Sequence, residues 1–394
     1  MKKRLLITAS TFPRYEKDTE PRFILDLAKS LLPYYDVTVL APAAPESLEE
    51  EVMEGVNVRR YHYFPIHKLE TLCYPGAIVP RIKQKKTRIL LVPWLFLALF
   101  HYLRKHRKEY DLVHANWLIP QGIIQAFTGI PYIVTGHGAD VTSLNAGLMK
   151  SLKKRCLNKA EAVTAVSWPL MDVLVELCPG KRHAVISMGV NTASFGMDYR
   201  VENYFNQQGK PVVLFVGRLA EKKGVRYLIE AMQNLKQGKD GELPVKLVIA
   251  GDGPLQAELK QQASEYGDQI LFLGSKTHEE LKTIYASADL FVMPSVTASD
   301  GDKEGFGLVM LEAFASGLPV VASDSGGIHD LIHHEENGLL VKEKDSVALA
   351  EAIKRVLSDE NLYESLKCNG QKTVSQYDYA VIGRKYADLI DKVL

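Results

Sequence analysis

The sequence predicts an α/β protein with two doubly wound domains that face a central cleft. The chain has 394 residues, which exceeds what one ordinary hydrophobic core accommodates. Apolar strand-like runs alternate with helix-length segments in the first half, and the same alternation begins again in the second half. Because ligands bind beyond the carboxyl ends of parallel strands, the functional residues are expected in the loops that follow these runs.

The strand predictions rest on short apolar runs that end in loops. In the first half these runs cover residues 4–9, 35–42, 57–64, 110–117, 130–138 and 160–167. In the second half they cover residues 210–219, 245–253, 269–275, 288–295 and 318–327. The sequence therefore predicts the following order: a first domain over 1–191, a linker over 192–209, a second domain over 210–376 and a last amphipathic helix over 377–394.

Composition and charge indicate a soluble protein with one basic half. Hydrophobic residues make up 46% of the chain and charged residues 24%. The net charge is +1, but residues 1–200 carry 27 Lys and Arg against 18 Asp and Glu, and residues 201–394 carry 21 against 29. This asymmetry suggests an anionic partner for the first half, unless it is accidental. Four scattered cysteines without a paired framework favour a reducing cytoplasm.

The segment 81–108 has an apolar centre between basic clusters. Its uncharged stretch, Ile89 to Phe100, spans 12 residues, or roughly 18 Å as a helix, against about 30 Å for a bilayer core. We therefore expect a buried helix packed on the first sheet. The alternative is that part of the segment rests on an anionic membrane surface.

Two glutamates, Glu304 and Glu312, frame the start of a predicted helix. The helix is expected to begin near Gly307 and to end at Ser316, before a Gly and a Pro. Free backbone N–H groups at such an end attract phosphate, and carboxylates accept hydrogen bonds from hydroxyl groups. A nucleotide-sugar has phosphate in the middle and hydroxyls at both ends. Spacing alone also allows a loop charge at Glu304 and a solvated Glu312.

Basic residues follow another predicted strand of the second half. Gly217 and Arg218 come just after the strand, and Lys223 comes just before the next helix. Arg and Lys can stabilise a departing diphosphate without a metal ion, and Arg does so with bidentate geometry. The alternative is two exposed basic residues in a loop.

In the first half, His137 stands between two glycines directly after a buried strand. At that position it can reach a sugar hydroxyl or a departing phosphate, and Asp140 is expected close by. The alternative is a structural histidine in a loop.

In combination, these motifs resemble the family-4 retaining glycosyltransferases of the GT-B fold over nearly the whole chain. The resemblance rests on Gly217–Arg218–Leu219 with Lys223–Gly224, the Glu304 to Glu312 pair, Gly326–Gly327, the HGAD stretch at 137–140 and the MGVNTASF stretch at 188–195. It implies two Rossmann-like domains that face a cleft, and a last helix that crosses back to pack on the first domain.

The resemblance also implies a role for each candidate site residue. Arg218 and Lys223 bind the donor diphosphate, Glu312 holds the ribose and Glu304 holds the transferred sugar. His137 contacts the sugar near the reacting centre, so that the implied catalytic set is Glu304, His137, Arg218 and Lys223. The donor site is completed by Gly217 and by the backbone N–H groups of Gly305, Phe306, Gly307 and Leu308.

The implied reaction is retaining, metal-independent and free of a cofactor, with a nucleoside-diphosphate-sugar as co-substrate. The family has no settled covalent nucleophile, and front-face attack on the donor is the usual proposal. The expected partners are the nucleotide-sugar donor, a glycan or lipid-linked glycan acceptor and an anionic membrane surface, and no nucleic acid. The expected location is the cytoplasm, at the inner face of the membrane. The alternatives are a sugar-nucleotide epimerase of the same fold and a non-catalytic protein that binds nucleotide-sugar or membrane.

The loop after the first strand, residues 10–23, departs from the pattern of many family members. It lacks their glycine pair, and the first glycine in the chain is Gly55. The loop resembles a subset that acts in surface-polysaccharide assembly, in which case Arg14, Lys17, Glu20 and Asp140 would face the acceptor. The missing glycines also count against a dinucleotide oxidoreductase.

Asp300–Gly301–Asp302 invites a metal interpretation, because Asp-x-Asp binds a divalent ion in the other glycosyltransferase fold. Here the motif lies in a loop before Glu304, within an architecture that usually needs no metal. We therefore expect no metal site.

Overall fold

The computed structural model describes residues 2–16, 18, 20–237 and 243–394, with the side chains of 236 and 237 left out. Lys17, one of the predicted acceptor-side residues, lies outside the described residues. The chain divides into two compact units, one formed by the residues up to Gly189 together with Tyr379–Leu394, and one formed by Val190–Asp378. Each unit is built on a parallel sheet, so the predicted α/β class is confirmed.

The first unit contains an eight-stranded sheet within the described part of the chain, in the order β3-β4-β2-β1-β5-β6-β7-β8. All neighbours pair in parallel except β3 and β4. The strands are β1 Arg4–Thr8, β2 Asp36–Pro42, β3 Glu50–Met53, β4 Val56–Tyr61, β5 Leu112–Asn116, β6 Tyr132–Gly136, β7 Ala162–Ala165 and β8 His183–Val185. The helices are α1 Phe23–Leu31, α2 Ile78–Gln84, α3 Val92–Lys105, α4 Ile123–Gln125, α5 Ala139–Thr142, α6 Gly147–Lys159 and α7 Trp168–Leu177.

The second unit contains a parallel sheet that has six strands in the described ranges, in the order β11-β10-β9-β12-β13-β14. The strands are β9 Val212–Val216, β10 Lys246–Ala250, β11 Ile270–Gly274, β12 Leu290–Met293, β13 Val320–Ser323 and β14 Leu339–Val341. The helices are α8 Val225–Gln237, α9 Gln256–Gln262, α10 His278–Ala286, α11 Leu308–Ala315, α12 Ser346–Ser358 and α13 Glu360–Val374.

Helices cover both faces of these sheets, which is why the central strands are apolar throughout. Every residue of β9 is buried, as is every residue of β10 and of β12. Strands that are buried on both faces lose the alternation of polar and apolar residues that marks a half-exposed strand. The sheet order places the carboxyl ends of β9, β12 and β13 side by side, and that edge carries the predicted donor residues.

The polar segment 192–209, for which the sequence predicts a linker, packs on the second unit. Arg200 donates hydrogen bonds to the carbonyl oxygens of Ala286 (3.2 Å) and Ala288 (2.9 Å). The same guanidinium pairs with Asp289 at 2.8 Å. Phe205 is 3% exposed. The segment is therefore held by specific contacts at the end of α10.

The last helix, α14 (Tyr379–Asp391), belongs to the first unit and packs along α1. Tyr386 is fully buried, and the Tyr35 hydroxyl donates to the Asp391 carboxylate at 2.6 Å. The helices approach closely because Gly383 has no side chain, since a Cβ there would lie 2.7 Å from the Ser30 carbonyl oxygen. The C-terminal residues thereby complete the fold formed by the first part of the chain.

The segment 81–108 is not the buried helix that the sequence predicts. It forms α2, a 3₁₀ stretch over Lys86–Leu91, and α3. Only Leu95, Leu99 and Leu103, four residues apart, are buried on α3. Four apolar side chains remain exposed at the start of this helical stretch: Ile89 (57%), Leu90 (71%), Trp94 (45%) and Leu97 (62%). Residues 86–105 are also, by length and composition alone, apolar enough to cross a membrane. The expectation of burial was wrong because one side of α3 packs on the core, whereas the other side is largely exposed within the described structure.

Candidate active site

Helix α11 begins directly after a glycine at the carboxyl edge of the second sheet. Gly307 has a φ of 89° and a ψ of 59°, a left-handed conformation that favours glycine. The helix runs from Leu308 to Ala315, within one residue of the predicted bounds. The first backbone N–H groups of an α-helix lack carbonyl partners in the preceding turn, so this end remains a candidate for the phosphate contact that the sequence predicts.

Lys223 and Glu304 form an ion pair at this edge. Lys223 lies in the loop between β9 and α8, and Glu304 lies in the loop between β12 and α11. The Lys223 ammonium donates to the Glu304 carboxylate at 2.6 Å, and the two side chains are 13% and 11% exposed. Since β9 and β12 are neighbouring strands, the fold brings together two residues that are 81 positions apart in the chain.

The electrostatic environment keeps Glu304 ionised. Burial by itself raises the pKa of the Glu304 carboxyl, but Lys223, Lys222 and the Gly305 N–H together lower that pKa below its ordinary value. Glu304 is therefore a carboxylate at neutral pH, able to accept hydrogen bonds from hydroxyl groups.

The main chain of Glu304 is positioned by the loop after β13. Gly327 donates its N–H to the Glu304 carbonyl oxygen at 3.0 Å. A Cβ at Gly326 would lie 2.2 Å from that same oxygen, and Gly326 has a φ of +59°. Only glycine permits this approach, so the predicted Gly326–Gly327 motif supports the glutamate.

Gly217 and Arg218 lie in a loop that packs tightly against the loop after β10. A Cβ at Gly251 would lie 1.9 Å from the Gly217 carbonyl oxygen, and one at Gly253 would lie 2.4 Å from the Leu219 carbonyl oxygen. The sequence indicates only a turn at 251–253, and the structure adds this close packing. The Arg218 side chain is exposed and makes no hydrogen bond or ion pair with the residues that the structure describes.

Glu312 lies in the second turn of α11 and has a buried partner. The Tyr285 hydroxyl donates to the Glu312 carboxylate at 2.8 Å. Burial and the charge of Glu312 raise the pKa of Tyr285 well above its ordinary value, so the hydroxyl keeps its proton. Glu312 is thus held by a fully buried side chain, unlike the solvated helix residue of the alternative interpretation.

His137 and Asp140 lie in the first unit, at the carboxyl edge of its sheet. The Asp140 carboxylate accepts hydrogen bonds from the N–H groups of Leu118 (2.8 Å), His137 (3.1 Å) and Gly138 (2.9 Å). It thereby joins the loops that follow β5 and β6. His137 Nε2 lies 3.0 Å from the Asn116 Oδ1, which makes Nε2 the donor and Nδ1 an acceptor. Burial lowers the pKa of His137 to about 3, so the imidazole is neutral near pH 7.

Two aromatic residues that sequence reasoning did not select lie against His137. The Trp117 ring is 4.8 Å from the His137 ring, and the Phe23 ring is 5.7 Å from it, between centroids. Trp117 directly follows β5, and Phe23 is the first residue of α1. A bulky aromatic residue at the end of a buried strand was the available signal in the sequence.

The predicted acceptor-side residues Arg14 and Glu20 take part in contacts inside the first unit. Arg14 pairs with Asp18 at 2.9 Å and lies over the Tyr74 ring, 4.2 Å from its centroid. Glu20 is 9% exposed and accepts a hydrogen bond from the Gly76 N–H at 2.8 Å. These contacts order the loop after β1.

The Asp-x-Asp motif is engaged with a lysine. Asp302 pairs with Lys222 at 3.0 Å, and the Asp302 N–H donates to the Asp300 carboxylate at 3.1 Å. Across the described ranges of the chain, no three His, Cys, Asp or Glu side chains lie together in a way that could hold a metal ion.

Comparisons with known proteins identify the family of the chain. A family model described as Glycosyl transferases group 1 matches residues 201–373, and one described as Glycosyltransferase Family 4 matches residues 21–194. The glycosyltransferase TuaC of Bacillus subtilis, whose name assigns it to teichuronic acid biosynthesis, is 32% identical over 89% of this chain and 88% of its own.

Solved structures share the fold. Sucrose-phosphate synthase of Thermosynechococcus elongatus superimposes with a TM-score of 0.76 at 24% identity, over 100% of this chain and 99% of that one. HepE of Anabaena in complex with UDP-glucose gives 0.70 at 23% identity, over 99% of both chains. The chain therefore belongs to the family-4 glycosyltransferases of the GT-B fold, and it is a glycosyltransferase.

Replacing Gly326 with Ala should weaken binding of a nucleoside diphosphate at the second unit. The added Cβ would meet the Glu304 carbonyl oxygen at 2.2 Å and displace the glutamate. The matched control is Gly301→Ala, because Gly301 also has a positive φ (+81°) but has no atom within 4 Å of the new Cβ. Calorimetric titration of both variants separates displacement of Glu304 from backbone strain. Equal weakening in both variants would show that strain alone is responsible.

Replacing Lys223 with Met should diminish the pH-dependent stability that Glu304 contributes. In the native protein the lowered pKa of Glu304 adds stability above the unfolded pKa, about 4.3, which is lost as pH falls through the lower folded pKa. Without Lys223 the folded pKa of Glu304 rises, because burial is then opposed only by Lys222 and the Gly305 N–H, so the stability that Glu304 contributes above the unfolded pKa decreases. Urea unfolding of Lys223→Met from acid to neutral pH measures the effect, with Lys223→Met/Glu304→Gln as the control that removes it. A destabilisation that is the same in both variants at every pH would contradict the assignment.

Proposed function

We propose that this glycosyltransferase is a retaining, metal-independent enzyme that moves a sugar from a nucleoside diphosphate to a hydroxyl group of a glycan or lipid-linked glycan. The proposal places the reaction in the assembly of a surface polysaccharide. The observation that carries it is the ion pair of Lys223 with Glu304, set beside the start of α11 and held by Gly326 and Gly327.

The donor would bind along the carboxyl edge of the second sheet. Lys223 and the exposed Arg218 supply positive charge for the diphosphate, and the first N–H groups of α11 supply donors. The Glu304 carboxylate accepts a hydrogen bond from a hydroxyl of the transferred sugar, and the Glu312 carboxylate accepts hydrogen bonds from the hydroxyls of the ribose. The complex of HepE with UDP-glucose supports a nucleotide-sugar of this kind.

The reaction proposed is a front-face substitution at the anomeric carbon. The bond from that carbon to the diphosphate oxygen breaks, and the acceptor oxygen bonds to the same face of the sugar. The acceptor proton passes to the departing diphosphate, so no enzyme-bound sugar is formed and the configuration is retained. Arg218 and Lys223 stabilise the charge that develops on the diphosphate. A neutral His137 accepts a hydrogen bond from a sugar hydroxyl, the role that the family resemblance implies.

The surface-polysaccharide role is supported by TuaC, whose name refers to teichuronic acid. An epimerase of the same fold would instead release a new sugar from the donor without any acceptor. A non-catalytic binding protein would release nothing. Product analysis with and without a glycan acceptor therefore distinguishes the three.

Thermal unfolding with UDP, GDP, ADP and dTDP, each with and without EDTA, tests the donor site. At roughly a hundred times its dissociation constant, the correct nucleotide should add about 2.7 kcal/mol of stability. We expect that the nucleoside diphosphate of one base stabilises the protein and that EDTA does not change this stabilisation. The stabilisation should be lost in Arg218→Ala. Arg226→Ala is the matched control, because Arg226 is exposed nearby and pairs with Glu230. Stabilisation that requires a metal, or that survives Arg218→Ala, would contradict the proposed diphosphate site.

The enzyme is further proposed to act in the cytoplasm, at the inner face of the membrane. The α3 surface, which we define as Ile89, Leu90, Trp94 and Leu97, exposes contiguous apolar side chains. Exposed basic residues flank it on both sides: Lys83, Lys85 and Lys86 before it, and Arg104, Lys105, Arg107 and Lys108 after it. Apolar insertion together with attraction to anionic lipids is the usual mode of peripheral binding.

Vesicle flotation tests this surface. The protein should float with vesicles that contain phosphatidylglycerol and remain at the bottom with phosphatidylcholine alone, because the basic flanks need anionic lipid. Trp94→Ala/Leu97→Ala should lose most of the bound fraction. Leu148→Ala/Trp168→Ala is the matched control, since both residues are apolar and exposed (76% and 62%) elsewhere in the first unit. Equal loss in both double variants, or binding without anionic lipid, would contradict the assignment.

A further inference from the structure

Trp117 adopts a backbone conformation that bulky residues rarely take. Its φ is 70° and its ψ is 137°. The fold holds it there, because its N–H donates to the Thr135 carbonyl oxygen at 2.9 Å and its carbonyl oxygen accepts from the Gly122 N–H at 3.1 Å. Position 122 requires a glycine, because a Cβ there would lie 2.7 Å from the Cys156 Sγ. Strained residues that are held in this way concentrate at binding and catalytic sites.

The strained backbone places the indole in an aromatic patch, which we define as Phe23, Trp117 and His137. The ring centroids are 4.8 to 5.9 Å apart. The three residues come from the start of α1 and from the ends of β5 and β6. All three are only partly buried, so the patch is accessible from solvent. The rings therefore form a partly exposed surface at the carboxyl edge of the first sheet.

Buried polar atoms without partners in the described part of the chain occur at the same edge. Asn116, whose Oδ1 contacts His137, has a buried Nδ2 that makes no hydrogen bond there. Gln121, in the turn after Trp117, has neither amide atom paired. Thr8 at the end of β1 and Ser167 just after β7 have unpaired hydroxyls. A purely structural aromatic cluster does not need such a polar setting, because buried polar groups without partners are costly.

These features suit the ring of an uncharged sugar. A pyranose has a face of C–H groups, which stacks on the negative face of an aromatic ring, and a rim of hydroxyls, which can donate to an acceptor such as the His137 Nδ1. A phosphate is disfavoured, because the patch contains no cationic side chain. A nucleoside diphosphate is disfavoured for the same reason.

We propose that the aromatic patch binds a pyranose ring of the acceptor, with Trp117 as the stacking residue that selects a sugar over a bare lipid phosphate or an open-chain polyol. The identification of this sugar as the acceptor rests on the proposed function, whereas the binding itself does not. The acceptor of the reaction would then carry a pyranose unit, so an earlier reaction that transfers a glycosyl or glycosyl-phosphate group must supply it.

The first experiment makes Trp117 the reporter. The chain has three tryptophans, so Trp94→Phe/Trp168→Phe leaves Trp117 alone, and the two replaced side chains are exposed. The probes are the methyl glycosides of glucose, galactose, mannose and N-acetylglucosamine, and sorbitol serves as the open-chain control. The emission of Trp117 should change saturably with at least one glycoside and not with sorbitol, with or without nucleoside diphosphate. No saturable change with any glycoside, or an equal change with sorbitol, would overturn the proposal.

The second experiment compares Trp117→Phe with Trp117→Leu, which keep and remove the aromatic face at the same backbone position. Glycoside binding, followed by saturation-transfer NMR, should weaken at least about tenfold in Trp117→Leu and less in Trp117→Phe, whereas stabilisation by the nucleoside diphosphate should not change. Phe23→Leu provides a second test if Trp117→Leu unfolds. Unchanged glycoside binding in the leucine variants would refute the patch. Failure of every nucleotide to stabilise the native protein would instead refute the donor site, which is a separate result.

Discussion

The ion pair between Lys223 and Glu304 is the interaction on which the candidate donor site depends. A carboxylate so little exposed is costly to keep charged, and the lysine, with its neighbour Lys222, offsets that cost. The pair also sets the positive charge beside the first N–H groups of α11. The ion pair thus holds a carboxylate that can accept hydrogen bonds from hydroxyl groups and an ammonium group that can pair with phosphate. The two groups lie in the loops that follow two neighbouring strands.

Close backbone contacts make this edge of the second sheet rigid. Three glycines, Gly224, Gly251 and Gly326, each allow a loop to touch the main chain of another loop, and a Cβ at any of them would lie within 2.2 Å of a carbonyl oxygen. These contacts connect the loops after β9, β10, β12 and β13. A site whose loops are fixed in this way loses little conformational freedom when a ligand binds. The glycine motifs of the sequence are therefore supports for the glutamate and the cations as much as points of access to phosphate.

The first unit organises its edge by different means. The Asp140 carboxylate accepts hydrogen bonds from three N–H groups in two loops, and the neutral His137 ring packs at a tilt against the rings of Trp117 and Phe23. The resulting surface is aromatic and polar without being cationic, in contrast to the edge of the second unit. The basic residues that give the first half its positive charge are concentrated instead around the α3 surface. Charge and aromatic character thus separate into regions that suit different partners, an anionic surface and an uncharged sugar.

The amino-acid sequence by itself determined the α/β class and the central strands, and it singled out the glutamates and cations of the candidate site. Runs such as Val212–Val216 are wholly apolar and rich in valine, and the glycines around α11 mark its ends, so local chemistry was sufficient. It did not reveal β3, β8 and β14, which have three or four residues and little burial, because such edge strands depend on their neighbours. Only the tertiary structure decided which side of α3 is buried, since apolar composition does not say which face finds a partner. The strained Trp117 and the pairing of Lys223 with Glu304 were equally hidden, because both depend on the order in which distant strands lie side by side.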